Sequence, residues 1–119
     1  MNVRRKRVVV ADNDRDALDL VVTDLGFEGH EIVASALDGE GAIAACESER
    51  PDVLVVDHRM PPGPSGADVA ERLHLAGSSV RVIVYSNYRD PVVIDRVQAA
   101  GATFLPKGSL RALRRAVDR

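Results

Sequence analysis

Apolar residues gather in five short runs separated by polar stretches of similar length: RVVVAD (7–12), HEIVAS (30–35), DVLVVD (52–57), VRVIVYS (80–86) and ATFLPK (102–107). Within each run the apolar positions are continuous rather than alternating and rich in Val and Ile, the pattern of strands buried on both faces. Between the runs the spacing turns helical. In 14–26, Leu18, Val21, Val22 and Leu25 fall on one stripe and Gly26 offers a C-terminal stop. Segment 38–49 is a weaker helix with two glycines, in which Ile43, Ala44 and Cys46 can pack. Segment 65–77 opens on Ser65 as a cap and stops at Gly77. Segment 90–101 has Asp90 as N-cap, Pro91 at the first helical position and Gly101 at its end. Segment 109–117 is apolar at Leu110, Leu113 and Val117 with arginines between. Strands begin every ~20–30 residues, the length of one βα unit. The pattern predicts one (βα)5 domain over 1–119, a parallel α/β sheet with helices on both faces.

Composition narrows the class without changing that picture. A chain of 119 residues supports one core and not two, and 45% hydrophobic with 29% charged residues is ordinary for a globular domain. A net charge of −2 argues against direct nucleic-acid binding. The basic run Arg4-Arg5-Lys6-Arg7 reads as a solvated strand leader in preference to a phosphate- or partner-binding patch. Cys46 is alone, which leaves no disulfide framework and no Cys-based metal site, and a packed thiol is its expected role. No apolar stretch approaches the ~18 residues of a membrane span, and the basic N-terminus lacks a signal-peptide core. The expected location is the cytoplasm, away from the membrane.

In an open parallel sheet, ligands bind outside the carboxyl ends of the strands. The first strand ends in Asp12-Asn13-Asp14, the third in Asp57, the fourth in Ser86 and the fifth in Lys107. Each alone has a plain reading as a turn or cap residue. Together they place carboxylates, a hydroxyl and an ammonium on one rim. Clustered oxygens suit Mg²⁺, which takes few carboxylates and keeps several waters. A carboxylate can also serve as a phosphoryl nucleophile once metal and Lys charges offset the repulsion between anions. The product would be an acyl phosphate.

These residues carry a family resemblance. VVVADND, PDVLVVDHRMP…SG, VIVYSN and AGATFLPKGS resemble the motifs of response-regulator receiver domains of two-component signalling, over essentially the whole chain. Asp57-x-x-Met60-Pro61 is the most specific of them. The resemblance implies the flavodoxin-like strand order 2-1-3-4-5. It implies phosphorylation of Asp57 by a sensor histidine kinase or a small phosphodonor with Mg²⁺ as cofactor. The metal would be held by Asp12, Asn13, Asp57 and the backbone carbonyl of Arg59. Ser86 and Lys107 would contact the phosphoryl oxygens, and Phe104 would swing inward with Ser86 as a switch. The face formed by the fourth helix, fifth strand and fifth helix would pass the signal to a DNA-binding output domain, a downstream protein or a second copy in a homodimer. The domain would be a phosphoacceptor and not an enzyme, beyond self-phosphorylation from small donors and autodephosphorylation.

Three features depart from the family pattern. Asn13 stands where a second acid is usual, which predicts weaker metal binding; Asp14 is expected as an exposed acid at the mouth of the first helix. MPPGPSG is one residue longer than the usual loop, and GATFLPK one shorter before the aromatic, so a plain core role for Phe104 stands beside the switch role. Pro106 removes a backbone donor and is tolerable only on an edge strand. Among the histidines, His58 is expected to be solvated in its loop, and His30 and His74 have no partner at metal-ligand spacing. Arg111, Arg114 and Arg115 suggest a basic outward face on the last helix. Two alternatives remain. One is a degenerate receiver that binds partners without phosphorylation, motivated by Asn13. The other is a haloacid-dehalogenase-type phosphatase with Asp12 as nucleophile and Asp14 as general acid, which the order of Asp57, Ser86 and Lys107 along the chain opposes.

Overall fold

A computed structural model of the protein describes residues 5–119, so Arg4 of the basic leader lies outside the described residues. Strands and helices alternate as β1 (Arg7–Ala11), α1 (Arg15–Phe27), β2 (Glu31–Ala36), α2 (Gly39–Glu49), β3 (Val53–Val56), α3 (Gly66–Leu75), β4 (Arg81–Ser86), α4 (Pro91–Ala99), β5 (Thr103–Pro106) and α5 (Leu110–Asp118). All strand pairs are parallel, in the order β2-β1-β3-β4-β5. This is the predicted fold and strand order.

The continuous apolar runs are explained by two cores. Val9, Ala11, Leu54, Val56, Val82 and Val84 face α2, α3 and α4. The alternate positions Val8, Val10, Val53, Val55, Ile83 and Tyr85 face α1 and α5. Only β1, β3 and β4 are buried along their length; the edge strands β2 and β5 are half-covered. Pro106 sits on the edge strand, as its chemistry demands. Lys107 N–H points inward to the Ser86 carbonyl, so the alternation of the strand turns the Pro106 nitrogen outward, where no ladder bond is lost.

The helix ends follow the sequence closely, with one shift. Asp14, Asp38, Ser65, Asp90 and Ser109 all serve as N-caps, and Ser65 with Asp68 forms a complete capping box. Gly77 and Gly101 terminate α3 and α4 with φ of 72° and 75°. Gly26 does not end α1; the helix continues through Phe27, and Gly29 makes the left-handed turn at φ 93°. In α2 Ala42 and Cys46 are buried and Ile43 packs against the core as expected, while Ala44 faces solvent. Burial pushes the Cys46 thiol up to about 11, with the Glu47 charge adding to it, which keeps it a packing group.

The ends of the strands opposite the predicted rim are fastened by cations. Arg7 of β1 donates to the Glu49 and Arg50 carbonyls that end α2, at 2.6 and 3.1 Å. Arg81 of β4 donates to the Ala116 and Val117 carbonyls that end α5, at 2.6 and 3.3 Å. Arg7 is therefore a helix clamp, not part of a solvated leader. His30 accepts from Lys6 N–H through Nδ1 and bonds the Asp118 carboxylate through Nε2, both at 3.0 Å, with its side chain fully buried. Arg114, expected on a basic outward face, turns to Asp24 and Glu28 of α1; Arg111 and Arg115 remain exposed.

Candidate functional site

The register of the sheet assembles the predicted residues. Ala11 lies beside Val56 across β1 and β3, so the next residues, Asp12 and Asp57, emerge side by side. Asp12 N–H donates to the Ala36 carbonyl and Asp57 N–H to the Ala11 carbonyl, which fixes both backbones. Ser86 ends β4 beside Pro106, and Lys107 follows directly. Lys107 Nζ then reaches Asp12 Oδ2 at 2.7 Å and Asp57 Oδ2 at 3.5 Å. One ammonium is thus shared by two largely buried carboxylates, whose side chains are 6% and 13% exposed.

The electrostatics follow from that arrangement. Burial raises the Asp12 carboxyl above its ordinary value, and the neighbouring Asp57 charge adds to the rise; bonds from Lys107 and from Asp14 N–H offset only part of it. Burial pulls the Lys107 ammonium down, but the two carboxylates more than reverse this and its net direction is up. Lys107 is therefore a fixed positive charge. Among the described residues, the two carboxylates share this single ammonium as their ion-pair partner.

The remaining residues take distinct places. Ser86 is buried, and its Oγ accepts from Tyr88 N–H at 3.1 Å, leaving the hydroxyl proton to donate. Asp57 Oδ1 accepts from His58 N–H at 2.7 Å, and Asp12 Oδ1 from Asp14 N–H at 2.9 Å. Asp14 is the exposed cap of α1, so its carboxylate is occupied by the Asp16 and Ala17 N–H groups and belongs to the helix. Asn13 is exposed beside the pair. Phe104 is half-buried against the core beneath α4. Among the described residues no group of three His, Cys, Asp or Glu forms a metal cage. The oxygens that the geometry gathers are those of the Asp12 and Asp57 carboxylates, with exposed Asn13 next to Asp12 in the chain. This set fits the ion, which needs few carboxylates and retains waters.

The close approach of Gly66 to the end of β3 leaves no room for a side chain. A Cβ there would stand 2.3 Å from the Asp57 carbonyl oxygen and 2.9 Å from His58 Cα, and Gly66 N–H bonds the His58 carbonyl at 2.8 Å. His58 is not solvated: it is 7% exposed, its Nδ1 accepts from Ala67 N–H at 3.3 Å, and its ring stacks on Tyr88. Burial lowers its basicity, and the Arg96 charge adds to this. Tyr88 was invisible to motif reading. Its signal was scarcity, since the chain holds two Tyr, two Phe and no Trp, and one of them falls two residues past a rim serine. A groove of about 470 Å³ between the ends of α2 and α3, beside Cys46 and Leu73, opens at the other end of the sheet and gathers none of the rim residues.

With that geometry in place, the relationships of the chain are consistent. The response regulator receiver domain model matches residues 8–118, and the chain belongs to that family. It is 35% identical over 107 residues to the probable transcriptional regulatory protein NarL of Mycobacterium tuberculosis, covering 88% of this chain and 49% of that protein. It is 30% identical over 103 residues to the oxygen regulatory protein NreC of Staphylococcus epidermidis, covering 81% of this chain and 44% of that one. The chain thus spans about half the length of the curated relatives it matches. The signal receiver domain of the putative response regulator NarL from M. tuberculosis superposes with a TM-score of 0.88 at 31% identity, over 97% of this chain and 95% of that one. The protein is a receiver domain of a two-component response regulator. No helix among the described residues is long and apolar enough to cross a membrane.

Proposed function

We propose that Asp57 accepts a phosphoryl group from a sensor histidine kinase, with Mg²⁺ as cofactor, and that the domain is a phosphoacceptor in the cytoplasm and not an enzyme acting on a separate substrate. The observation that carries this reading is the shared ammonium: Lys107 joins Asp12 and Asp57 on one rim beside the Ser86 hydroxyl. An Asp57 carboxylate oxygen attacks phosphorus, the O–P bond forms as the N–P bond to the kinase imidazole breaks, and the electron pair leaves with the imidazole nitrogen. Lys107 and the Ser86 hydroxyl donate to the phosphoryl oxygens, where charge is greatest. Asp12, Asn13, Asp57 and the Arg59 carbonyl would hold Mg²⁺, which would supply positive charge to the transferred group. Ser86, with Phe104 swinging inward beside it as the switch, then carries the change to α4 and β5. The relatives are transcriptional regulators about twice as long, which supports a DNA-binding output domain as the recipient of the signal, with a downstream protein or a phosphorylation-dependent homodimer as other routes.

Intact mass after incubation with acetyl phosphate and Mg²⁺ tests the reading. A single phosphoryl adduct is expected, absent in Asp57→Asn and absent without metal. Exposed, neutral Asn13 favours a second reading, a receiver that binds partners unphosphorylated; no adduct from either acetyl phosphate or a phosphorylated kinase would establish it. An adduct that survives Asp57→Asn and disappears in Asp12→Asn would instead point to a phosphatase with Asp12 as nucleophile.

A further inference from the structure

His58 and Tyr88 lie on different loops and hold each other. Their ring centroids are 5.4 Å apart with 16° between planes, and the Arg59 guanidinium carbon lies 4.9 Å from the Tyr88 centroid. The loop after β3 thus grips the Tyr88 ring through two consecutive side chains. His58 is itself anchored by Ala67 N–H on its Nδ1 at the first turn of α3. Tyr88 is half-exposed, so water alone would leave its ring mobile; the grip keeps it in one place. Its backbone N–H occupies an acceptor position of Ser86 Oγ at 3.1 Å, which restricts the directions left to the hydroxyl proton.

We propose that His58 is a positioning residue: through the Tyr88 ring it fixes the turn after β4 and so holds the Ser86 hydroxyl ready for the phosphoryl group. This rests on the reading of Asp57 as phosphoacceptor. The His58 ring contacts Ala67 N–H and the Tyr88 ring, so it acts by packing and not on the reacting atoms. The chain from ring to hydroxyl is short, His58 to Tyr88 to Ser86, and every link is a contact between named groups. Small displacements of a group that must meet a transferred phosphoryl are costly in rate, so a loosened turn should register in the chemistry.

Two measurements test it. In the unphosphorylated protein, His58→Ala and Tyr88→Ala should each raise hydrogen exchange at neighbouring backbone amides of the 86–89 turn about tenfold, and His58→Ala should do so at the Tyr88 amide itself. Tyr88→Phe keeps the ring and should leave exchange near wild type. With acetyl phosphate and Mg²⁺, His58→Ala and Tyr88→Ala should slow adduct formation about tenfold and Tyr88→Phe should restore it. Placed in a Ser86→Ala background, neither alanine variant should cost anything further, because their effect runs through that hydroxyl. Unchanged exchange at Tyr88 in His58→Ala would overturn the proposal, as would an equal slowing with and without Ser86. Should the buried His58→Ala fail to fold, half-exposed Tyr88→Ala carries the same comparison. If the wild-type protein takes no phosphoryl group from acetyl phosphate or a kinase, the phosphoacceptor reading fails, while exchange at Tyr88 still shows whether the grip exists.

Discussion

At the start of the strands, Arg7 and Arg81 each lay a guanidinium on two carbonyls that end a helix, and His30 spans from Lys6 N–H to the Asp118 carboxylate. At the other end, Asp12 and Asp57 divide one Lys107 ammonium between them, and Ser86 keeps a hydroxyl proton to give. Both ends use cations and hydrogen-bonding side chains. They differ in whether the groups are matched. The first end closes orphan helix carbonyls with fixed donors, which is what a helix terminus requires. The second leaves buried negative charge in excess, which costs stability unless a further cation or a reaction relieves it. Charge alone therefore does not mark the site; a buried imbalance does.

The largest test of this contrast is geometric. Gly66→Ala puts a Cβ into the Asp57 backbone at 2.3 Å, a contact that no rotamer can relieve. We expect a loss of about 3 kcal/mol or more, read by urea denaturation, together with loss of the adduct in whatever fraction remains folded. A milder response would mean that the loop after β3 is plastic and that the rim is not held by backbone packing. Next in size is Arg81→Met, which keeps the stem but strips the donors from the Ala116 and Val117 carbonyls. About 1–2 kcal/mol should be lost, with the rate of adduct formation from acetyl phosphate unchanged. A matching fall in rate would show that the two ends are coupled.

How far each end was legible in the sequence follows from the same contrast. The rim residues stand at strand ends, and strand ends are set by hydrophobic runs, so Asp12, Asp57, Ser86 and Lys107 could be placed together from spacing alone. Caps such as Ser65 and Asp90 were equally readable, because a cap bonds within its own three or four residues. The clamps were not. Arg7 meets α2 over 42 residues of chain and His30 meets Asp118 over 88, and nothing local distinguishes such an Arg or His from a solvated one. His58 failed for that reason: its burial depends on the Tyr88 ring, which comes from the loop after another strand, as well as on the start of α3. Gly26 failed differently, since Gly29 offers a second left-handed position three residues later and packing of α1 decides between them.

A third test reverses the sign. If the rim holds excess buried charge, removing some of it should stabilise the fold while damaging the site. Asp12 is raised above its ordinary value chiefly by burial, and Lys107 retains Asp57 when Asp12 is neutral. Asp12→Asn should therefore gain about 1 kcal/mol at neutral pH in metal-free buffer and lose adduct formation. A destabilised Asp12→Asn would mean that the Lys107 bond outweighs the burial cost, and that the cluster is matched after all.

The smallest effect separates imbalance from burial. On the flank of the molecule Arg96 of α4 meets Asp68 at 2.8 Å and Glu71 at 2.7 Å on α3, the same ratio of two carboxylates to one cation found at the rim. Here the carboxylates are 45% and 40% exposed, and both are held below their ordinary values: Asp68 by Ser65 N–H first and then Arg96, Glu71 by Arg96. Identical stoichiometry thus shifts exposed acids down and buried Asp12 up, so water access sets the sign. Because both folded values are depressed, their contribution is present above the unfolded values of 3.8 and 4.5 and is lost as pH falls through the lower folded ones. Arg96→Gln should cost about 0.5–1 kcal/mol at pH 7, after allowance for solvent screening, and almost nothing at an acid pH low enough to protonate both carboxylates in the folded protein. Paired urea titrations at the two pH values decide it: a deficit that persists in acid would assign the role of Arg96 to packing of its stem between α3 and α4 and not to charge.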